Sequence, residues 1–408
     1  MPTCLACLSE NTKIILDFGL QPAANLLPDS PNAFVKRVPL ALRICENCGH
    51  AQQDQFYPPE ELFGNYLYQS GTTRTLNKYF EWLAGKISQN CEPSDHVFEI
   101  ASNDGSFLSA LKLHGLDCSG VEPASNLVSI SRDRGLDVHH AFWPDLQLNK
   151  KISRIVAMNV LAHVPDPHRF LSAVKDCMSA NGIAYIQVSQ ADMFVNYEFD
   201  TLYHEHFSFF CPSSLAELGR RCGFTKIQFC KTAVHGNSIL ALFGFDDSPI
   251  EDALSNLVDG EFALGSLSSS DRPTRLEAEC FQNFARQTCA SILSFEKLAR
   301  QSGRKFVLVG AAAKAITVCQ VSGAKFDDVI DEAPLKVGRY VPGGDVKISS
   351  FVDASKETVP CLFVIGAWNF RKEIENKLRC LRRNHTEDLV VVYFPTLSVG
   401  SLHGMETF

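Results

Sequence analysis

The chain has 408 residues, of which 45% are hydrophobic and 21% charged, a composition typical of globular proteins that bury sizeable cores. One core rarely serves a chain of this length, so two or three domains are expected. The net charge of -8 disfavours nucleic acid as a partner, because proteins that hold a phosphate backbone concentrate Lys and Arg on one face.

The start of the chain lacks the features of an export signal. Residues 1–7 contain neither a basic region nor an apolar stretch, and no later apolar run approaches the roughly 18 residues that a membrane span needs. We therefore expect a cytoplasmic protein that contacts no membrane. Its 15 cysteines should then stay reduced and serve as core residues or metal ligands.

Two cysteine pairs lie in the first 72 residues. Cys4 and Cys7 form one C-x-x-C pair, and Cys45 and Cys48 form the other. Four thiolates suit a tetrahedral zinc ion whose closed shell leaves no open position for catalysis. A redox pair or simple burial of the thiols are the alternatives, but two pairs in one short module favour zinc. We predict a zinc-binding module over residues 1–72.

Seven short apolar runs alternate with helical patterns between residues 73 and 245. This alternation predicts a mainly parallel sheet wrapped by helices. The last two runs are joined too closely for a crossover helix, which predicts an antiparallel pair at one edge. A parallel sheet with one reversed hairpin is the arrangement of the common methyltransferase fold. The runs are His96–Ala101, Cys118–Val121, Leu136–His139, Arg154–Asn159, Ile183–Val188, Thr225–Cys230 and Ser238–Phe243.

The first predicted strand ends in a tight turn, Glu99–Gly105, that opens a helix. Such a turn brings bare backbone close to a ligand at the carboxyl end of the sheet. Glu122 ends the next strand, about where a carboxylate meets the ribose hydroxyls of an adenosyl cofactor. Ala101 stands where the loops of methyltransferases and dinucleotide-binding proteins usually have glycine. The alternative to a cofactor site is an ordinary strand-turn-helix. Asn159 ends the fourth strand and is predicted to make a further polar contact with the cofactor. For His163, a role in the site and a role in capping its own loop are equal alternatives.

An aromatic stretch after the fifth predicted strand contains several polar side chains. The segment reads Asp200-Thr201-Leu202-Tyr203-His204-Glu205-His206-Phe207, which is not typical of an exposed loop. Two histidines and a glutamate suit acid–base catalysis. Metal binding is the alternative, although the spacing differs from the helix-borne H-E-x-x-H motif.

Residues 246–408 predict a helical connector followed by a second, Rossmann-like α/β domain. The turn at Gly310 has one glycine of the three expected in a dinucleotide loop. We therefore predict a Rossmann-like domain that does not bind a nicotinamide cofactor. Lys314 lies near the start of a helix and is a candidate for binding a substrate phosphate. The alternative is that it is an ordinary surface lysine. The predicted elements are strands at Phe306–Val309, Asp328–Ile330, Cys361–Ile365 and Leu389–Tyr393 and a helix at Ala311–Gln320.

Motifs over nearly the whole chain resemble the sugar C-methyltransferases of deoxysugar biosynthesis. In that family a zinc module, a cofactor domain and a carboxyl-terminal Rossmann-like domain enclose a shared cleft. The resemblance implies methylation of carbon 3 of a nucleotide-linked 4-keto sugar with S-adenosylmethionine (SAM) as the methyl donor. Besides the cysteine pairs, it is carried by Asp17–Asn25, Tyr66–Thr72, Glu99–Gly105, Asn159–Asp166, Tyr203–His206 and His235–Ser238.

The resemblance also implies catalytic roles by position. It makes His206 the base, Glu205 its partner or an alternative proton acceptor, and Tyr203 and Tyr68 the groups that hold the sugar. A carbon beside a ketone becomes nucleophilic only when its proton is removed, so a base with a near-neutral pKa and donors to the enolate oxygen are needed. Asn237 and the Val318–Gln320 stretch depart from the family pattern, which leaves the sugar open.

Our full prediction is an α/β enzyme with a zinc-binding module, a central seven-stranded Rossmann-like SAM methyltransferase domain and a carboxyl-terminal Rossmann-like domain. We expect SAM and structural zinc as cofactors, a nucleotide-linked keto sugar as substrate and a monomeric chain. An O- or N-methyltransferase, an NAD-dependent sugar oxidoreductase and a noncatalytic zinc-stapled protein are the alternatives. The predicted cofactor residues are Glu99, Ala101, Ser102, Asn103, Asp104, Gly105, Phe107, Leu108, Glu122, Pro123, Asn159, Val160 and Leu161. The further predicted substrate residues are Tyr66, Ser70, His204, His235, Asn237 and Lys314.

Overall fold

A computed structural model describes residues 2–31, 33–63 and 69–404. The chain divides into two compact units, each assembled from separate stretches of sequence. Unit 1 comprises Met1–Ile14, Leu42–Asp192 and Glu205–Thr274, and unit 2 comprises Ile15–Ala41, Met193–His204 and Arg275–Phe408. The domain boundaries placed after residues 72 and 245 remain predictions.

The first sheet has the strand order β1-β2-β3-β9. Its short strand β9 comes from the aromatic stretch in the middle of the chain and pairs antiparallel with β3, so that Ala51 faces Phe209 and Gln52 faces Ser208. This pairing joins the histidine-rich loop to the strand that follows the second cysteine pair. The strands are β1 (Thr12–Pro22), β2 (Arg37–Cys45), β3 (Ala51–Gln53) and β9 (Ser208–Phe209).

The central sheet of unit 1 has the order β12-β10-β11-β8-β7-β4-β5-β6. Strands β4 to β8 are parallel to one another, whereas β11 runs antiparallel to both β8 and β10. All seven predicted strands and the reversed hairpin are confirmed. The strands are β4 (His96–Ile100), β5 (Asp117–Glu122), β6 (Val138–His140), β7 (Ile152–Met158), β8 (Met178–Ser189), β10 (Lys226–Thr232), β11 (Ser238–Gly244) and β12 (Ala263–Ser266).

Strand β12 corrects the prediction in one respect, since the described sheet has eight strands and the hairpin is not its outer edge. The stretch containing β12 was predicted to be helical. Its four residues alternate between half-buried and exposed and are too few to give a periodic pattern of their own.

Helices cover both faces of the central sheet and create two cores. Along β4, Val97 points into the core beneath α2 and α3, and Phe98 points into the opposite core with α5 and α7. Burial on both faces explains why these strands read as nearly continuous apolar runs. No described helix combines the length and apolar character needed to cross a membrane. The helices of unit 1 are α1 (Pro59–Phe63), α2 (Arg74–Ser88), α3 (Ser106–Leu113), α4 (Ser125–Asp133), α5 (Pro167–Cys177), α7 (Pro212–Arg221) and α8 (Ile250–Val258).

Unit 2 contains a sheet of order β15-β14-β13-β16-β17-β18, parallel except for β18. The four strands predicted here are confirmed, and the very short β15 and the exposed β18 were missed. The strands are β13 (Lys305–Val309), β14 (Asp328–Ile330), β15 (Ile348–Ser349), β16 (Cys361–Ile365), β17 (Leu389–Val392) and β18 (Ser398–Ser401). The helices are α6 (Met193–Asn196), α9 (Arg275–Gln301), α10 (Ala313–Ser322), α11 (Phe351–Ser355) and α12 (Arg371–Leu381).

Candidate functional site

The four predicted metal ligands form one buried cluster. The sulfur atoms of Cys4, Cys7, Cys45 and Cys48 all lie within 4.8 Å of one another. The Cys4 and Cys48 sulfurs are 3.6 Å apart, and those of Cys7 and Cys45 are 3.5 Å apart. Thiolates at about 2.3 Å from a tetrahedral zinc ion stand about 3.8 Å from each other. The cluster therefore fits a structural zinc ion, and its sulfurs are too far apart for disulfides.

Local backbone geometry closes both C-x-x-C loops. The N–H of Leu8 donates to the Cys4 carbonyl at 2.9 Å, and the N–H of Gly49 donates to the Cys45 carbonyl at 2.9 Å. Leu8 and Gly49 have φ values of 60° and 75°, a left-handed conformation that suits glycine. The N–H of Cys7 also donates to the Cys4 sulfur at 3.4 Å, which stabilises a thiolate there.

The turn after β4 is held in a left-handed conformation at three positions. Ala101, Asn103 and Gly105 have φ values of 56°, 52° and 76°. The N–H of Asn103 donates to Glu122 Oε2 at 2.8 Å, and the N–H of Ala124 donates to Glu122 Oε1 at 2.9 Å. Glu122 thus ties the turn to the end of β5, while each of its oxygens keeps a further lone pair for a ligand.

Three buried side-chain oxygens beside this turn have no hydrogen-bond partner among the described residues. They are Glu99 Oε2, Ser102 Oγ and Asn159 Oδ1. Glu99 and Ser102 lie at the end of β4, and Asn159 follows the neighbouring parallel strand β7. An unsatisfied buried polar group costs about 1–3 kcal/mol. These oxygens fit the amino and hydroxyl groups of SAM, which are hydrogen-bond donors.

Two carboxyl groups beside the turn, those of Glu99 and Glu122, have raised pKa values, which favours their protonated forms. Burial, followed by the charges of Glu122 and Asp104, raises the pKa of Glu99 well above its usual range. Burial also raises the pKa of Glu122, although the N–H groups of Ala124 and Asn103 oppose that rise. A ligand that brings positive charge or donors to this site would favour the ionised forms.

Residues 70 and 71 lie directly against the turn. The N–H of Ser70 donates to Asn103 Oδ1 at 2.9 Å, and the N–H of Gly71 donates to Asp104 Oδ2 at 3.2 Å. A Cβ atom on Gly71 would lie 2.1 Å from Ser106 Oγ and 2.8 Å from Asp104 Oδ2, so a larger residue would displace side chains of the turn. The predicted residues Tyr66 and Tyr68 lie outside the described residues.

Some predicted cofactor residues point away from the turn. Phe107 and Leu108 are buried in the core beneath α2, where the Phe107 ring lies 5.7 Å from that of Phe80. Leu161 is fully buried in the opposite core. Pro123 and Val160 are half-buried. The cofactor contacts of all five residues remain predictions.

Two histidine rings of unit 1 pack together, one from the 3-10 helix Leu161–His163 and one from the candidate catalytic loop. The centroids of His163 and His206 are 4.9 Å apart. His163 Nδ1 lies 2.5 Å from the Glu205 carbonyl oxygen, and a carbonyl only accepts, so Nδ1 carries the hydrogen. Burial lowers the pKa of His163, which favours a neutral ring with its lone pair on Nε2. The sequence interpretation of His163 as a loop cap agrees with this bond.

The backbone around His206 is fixed by hydrogen bonds on both sides. Gln53 Nε2 donates to the His206 carbonyl at 2.7 Å, and the Gln53 N–H donates to the Phe207 carbonyl at 3.0 Å. The Phe207 N–H donates to the Ala162 carbonyl at 2.8 Å. The loop is therefore attached both to β3 and to the 3-10 helix Leu161–His163 that follows β7. Gln53 was missed by sequence reasoning because nothing local distinguishes it.

Tyr203 and His204 belong to unit 2. His204 Nε2 donates to the Val38 carbonyl at 3.1 Å, and burial lowers the pKa of His204 to about 4. A side chain that is 1% exposed and bonded to the backbone favours a structural role, and its substrate contact stays a prediction. Tyr203 is half-buried, and its N–H donates to the Thr201 carbonyl at 3.1 Å.

The loop between β10 and β11 carries two more predicted substrate residues. His235 and Asn237 have left-handed φ values of 52° and 65°. Asn237 Nδ2 donates to Asp192 Oδ2 at 2.7 Å, and Lys231 pairs with Asp192 Oδ1 at 2.6 Å. Asp192, which sequence reasoning missed, therefore organises this loop, and the substrate roles of His235 and Asn237 remain predictions.

The glycine turn of unit 2 is explained by packing. Gly310 has a φ of 95°, and a Cβ atom there would lie 2.7 Å from the Ala367 Cβ. Asp331 Oδ2 accepts the Ala311 N–H at 2.7 Å, so this carboxylate fixes the turn. Lys314 pairs with Glu198, another residue missed by sequence reasoning, at 3.3 Å.

The parallel sheet with a reversed hairpin, the tight turn after its first strand and the unsatisfied oxygens beside that turn define a SAM-dependent methyltransferase. Comparison with protein families agrees. Residues 71–228 match a methyltransferase domain, residues 4–63 a zinc binding domain and residues 233–395 a C-methyltransferase C-terminal domain. The three matches follow one another along the chain and make it a SAM-dependent C-methyltransferase whose cofactors are SAM and zinc.

Individual proteins are similar to the chain over different lengths. C-methyltransferase NovU of Streptomyces niveus is 26% identical over 390 residues, which cover 91% of this chain and 90% of NovU. A SAM-dependent methyltransferase structure from Thermotoga maritima is 20% identical with a TM-score of 0.34, covering 41% of this chain and 91% of that one. The glycopeptide N-methyltransferase MtfA in complex with SAM is 11% identical with a TM-score of 0.35, covering 44% and 96%.

Proposed function

We propose that this C-methyltransferase methylates carbon 3 of a nucleotide-linked 4-keto deoxysugar and that His206 is the base. The observation that carries this proposal is the His206–His163 pair, whose ring centroids are 4.9 Å apart. Hydrogen bonds on either side attach it to β3 and to the 3-10 helix Leu161–His163, which begins two residues after the predicted cofactor residue Asn159. The resemblance of the Tyr203–His206 segment to sugar C-methyltransferases supports the sugar substrate.

The reaction begins with proton removal at carbon 3. A nitrogen of His206 takes the proton, and the electron pair of the C–H bond moves toward the 4-keto oxygen as an enolate. Because His163 is neutral, the imidazolium formed at His206 meets no like charge from the adjacent ring. Glu205 is the partner of His206 or an alternative acceptor, and Tyr203 and Tyr68 donate to the sugar oxygens.

SAM, when bound, would supply the methyl group: the bond from this methyl to the sulfonium sulfur breaks as the enolate carbon bonds to it, and the electron pair stays on sulfur as a neutral thioether. Glu99, Ser102 and Asn159 offer the unsatisfied oxygens that hold the cofactor, with Glu122 keeping the turn in place. The zinc ion is structural, because four thiolates complete its shell.

The remaining predicted substrate contacts are part of the same proposal. These are Tyr66, Ser70, His204, His235, Asn237 and Lys314. Lys314 is the weakest of these contacts, because a phosphate there would compete with Glu198 for the same ammonium group.

Product analysis tests the proposed function. The purified protein is incubated with SAM and a panel of 4-keto nucleotide sugars, and NMR locates the new methyl group. We expect the methyl on carbon 3 and its loss in the variant His206→Asn, with SAM binding retained. The control His139→Asn changes an exposed histidine of β6 and should behave as wild type. A methyl on oxygen or nitrogen, or full turnover by His206→Asn, would refute the proposal.

A further inference from the structure

The carboxyl ends of three strands in unit 2 meet the same segment of the chain. The order β15-β14-β13-β16-β17 puts a topological switch point between β13 and β16, where open α/β sheets commonly bind ligands. Lys314, Trp368 and Tyr393 follow β13, β16 and β17 respectively. All three contact residues 198–200 of the same unit, which belong to the stretch 193–204.

These contacts are specific and polar. Lys314 Nζ lies 3.3 Å from Glu198 Oε2 and 4.5 Å from the centroid of the Trp368 ring. Trp368 Nε1 donates to Asp200 Oδ2 at 2.7 Å, and the Tyr393 hydroxyl lies 3.2 Å from the same oxygen. Glu198 and Asp200 are each 1% exposed, so their carboxylates lie within the crevice. Buried carboxylates need such partners, because an unpaired buried charge is strongly destabilising.

The opposite side of the segment packs on the long helix α9. The Phe194 ring lies 5.0 Å from that of Phe281, and the Tyr197 and Phe199 rings lie 5.4 Å and 6.3 Å from that of Phe284. The segment is therefore held between aromatic contacts on one side and the polar crevice on the other.

The crevice is already filled by protein groups at the place where a dinucleotide fold would hold phosphates. The Trp368 ring packs on Phe394 with centroids 4.2 Å apart. The Gly310 turn approaches Ala367, so its glycine is needed for internal packing. The ligand of this switch point is thus a segment of the chain itself.

We propose that the switch-point crevice of unit 2 is a dock for residues 193–204 and that Lys314, Trp368 and Tyr393 are positioning residues for the Tyr203–His206 loop. The loop begins three residues after Asp200, so the dock fixes its amino-terminal end. The effect on catalysis rests on the proposed role of His206 as the base, whereas the docking itself does not. A catalytic group displaced by about 1 Å loses about a hundredfold in rate, which is why such an anchor matters.

The test compares two lysines that each pair with a glutamate and lie beside an aromatic ring, the glutamate being buried for Lys314 and exposed for Lys377. Lys314→Met removes the charge that Glu198 pairs with and keeps an apolar stem over Trp368. Lys377→Met is the matched control, because Lys377 pairs with Glu332 and lies 4.3 Å from the centroid of the Phe351 ring. Lys314→Arg is the conservative variant that preserves the cation. Each protein is studied by hydrogen–deuterium exchange of peptides covering residues 193–206 and by steady-state kinetics with SAM and a 4-keto nucleotide sugar.

We expect Lys314→Met to speed exchange in residues 193–206 and to lower kcat by about tenfold, with the KM for SAM unchanged. Lys314→Arg should recover most of the wild-type kcat and of the slow exchange in residues 193–206. Lys377→Met should match the wild type in both measurements. Trp368→Phe removes the donor to Asp200 while keeping a smaller aromatic ring beside Lys314 and Phe394, and it should speed exchange in the same peptides. This second variant guards against a folding defect in a single variant.

Two results would overturn the dock. One is a rise only in the KM for the nucleotide sugar, with unchanged kcat and exchange, because Lys314 would then bind a substrate phosphate. The other is wild-type exchange in both Lys314→Met and Trp368→Phe. If the wild type methylates none of the sugars but the variants still speed exchange, the dock stands and the proposed function fails.

Discussion

Replacing Gln53 by leucine removes the side-chain donor that holds the His206 backbone. Gln53 is fully buried, and its Nε2 donates to the His206 carbonyl at 2.7 Å. Leaving a buried carbonyl without its donor costs about 1–3 kcal/mol. If this bond keeps the base in place, the same free energy appears in catalysis as a roughly tenfold to hundredfold fall in kcat.

The matched control for this prediction is the adjacent residue of β3. Gln52 accepts the Leu5 N–H at 2.7 Å and donates to the Thr3 carbonyl at 3.0 Å, so Gln52→Leu loosens the cysteine module instead of the base. We expect Gln52→Leu to lower the melting temperature with little change in kcat of the folded protein. Steady-state kinetics and SAM calorimetry on both variants make the comparison. Equal kcat in Gln53→Leu and the wild type would refute the idea that β3 positions the base.

Three further changes test other parts of the site. Removal of zinc by chelation should lower the melting temperature and kcat together, and so should the substitution Cys48→Ser, because β3 and β9 depend on the zinc-binding module. An unchanged melting temperature in zinc-free protein would contradict this. Glu99 has a pKa raised well above its usual range, so the folded state binds its proton more tightly than the unfolded state and wild-type stability falls as pH rises. Glu99→Gln should therefore gain stability relative to wild type between pH 5 and pH 8 in SAM-free melts, and a constant difference would count against it. Gly71→Ala places a Cβ 2.1 Å from Ser106 Oγ and should weaken SAM binding measured by calorimetry about tenfold, whereas unaltered affinity would show that the turn adapts.

Features that depend on local sequence patterns could be predicted from the sequence. The buried strands of both sheets appear as short apolar runs because their residues are covered on both faces. The four cysteines could be assigned because thiolate chemistry and spacing restrict what two adjacent pairs can do. The turn after β4 was also accessible, although Ala101 stands where glycine is usual, since Glu122 ends the next strand at the expected distance.

Features that depend on distant residues could not be predicted. Gln53 and His206 are 153 positions apart, Glu198 and Lys314 are 116 apart, and Asp200 and Trp368 are 168 apart. Neither partner of such a pair carries a local pattern that points to the other. The short strands β12, β15 and β18 were missed for a related reason, since two to four residues show no period and are defined by their neighbours.

The rate at which carbon 3 of the 4-keto nucleotide sugar exchanges its hydrogen for solvent deuterium tests the central claim most directly. The measurement needs no methyl transfer, because proton removal alone produces exchange. The account predicts rapid exchange with the wild type and with His139→Asn, and loss of exchange with His206→Asn in protein that still binds SAM. Exchange at the wild-type rate in His206→Asn would contradict the assignment of His206 as the base.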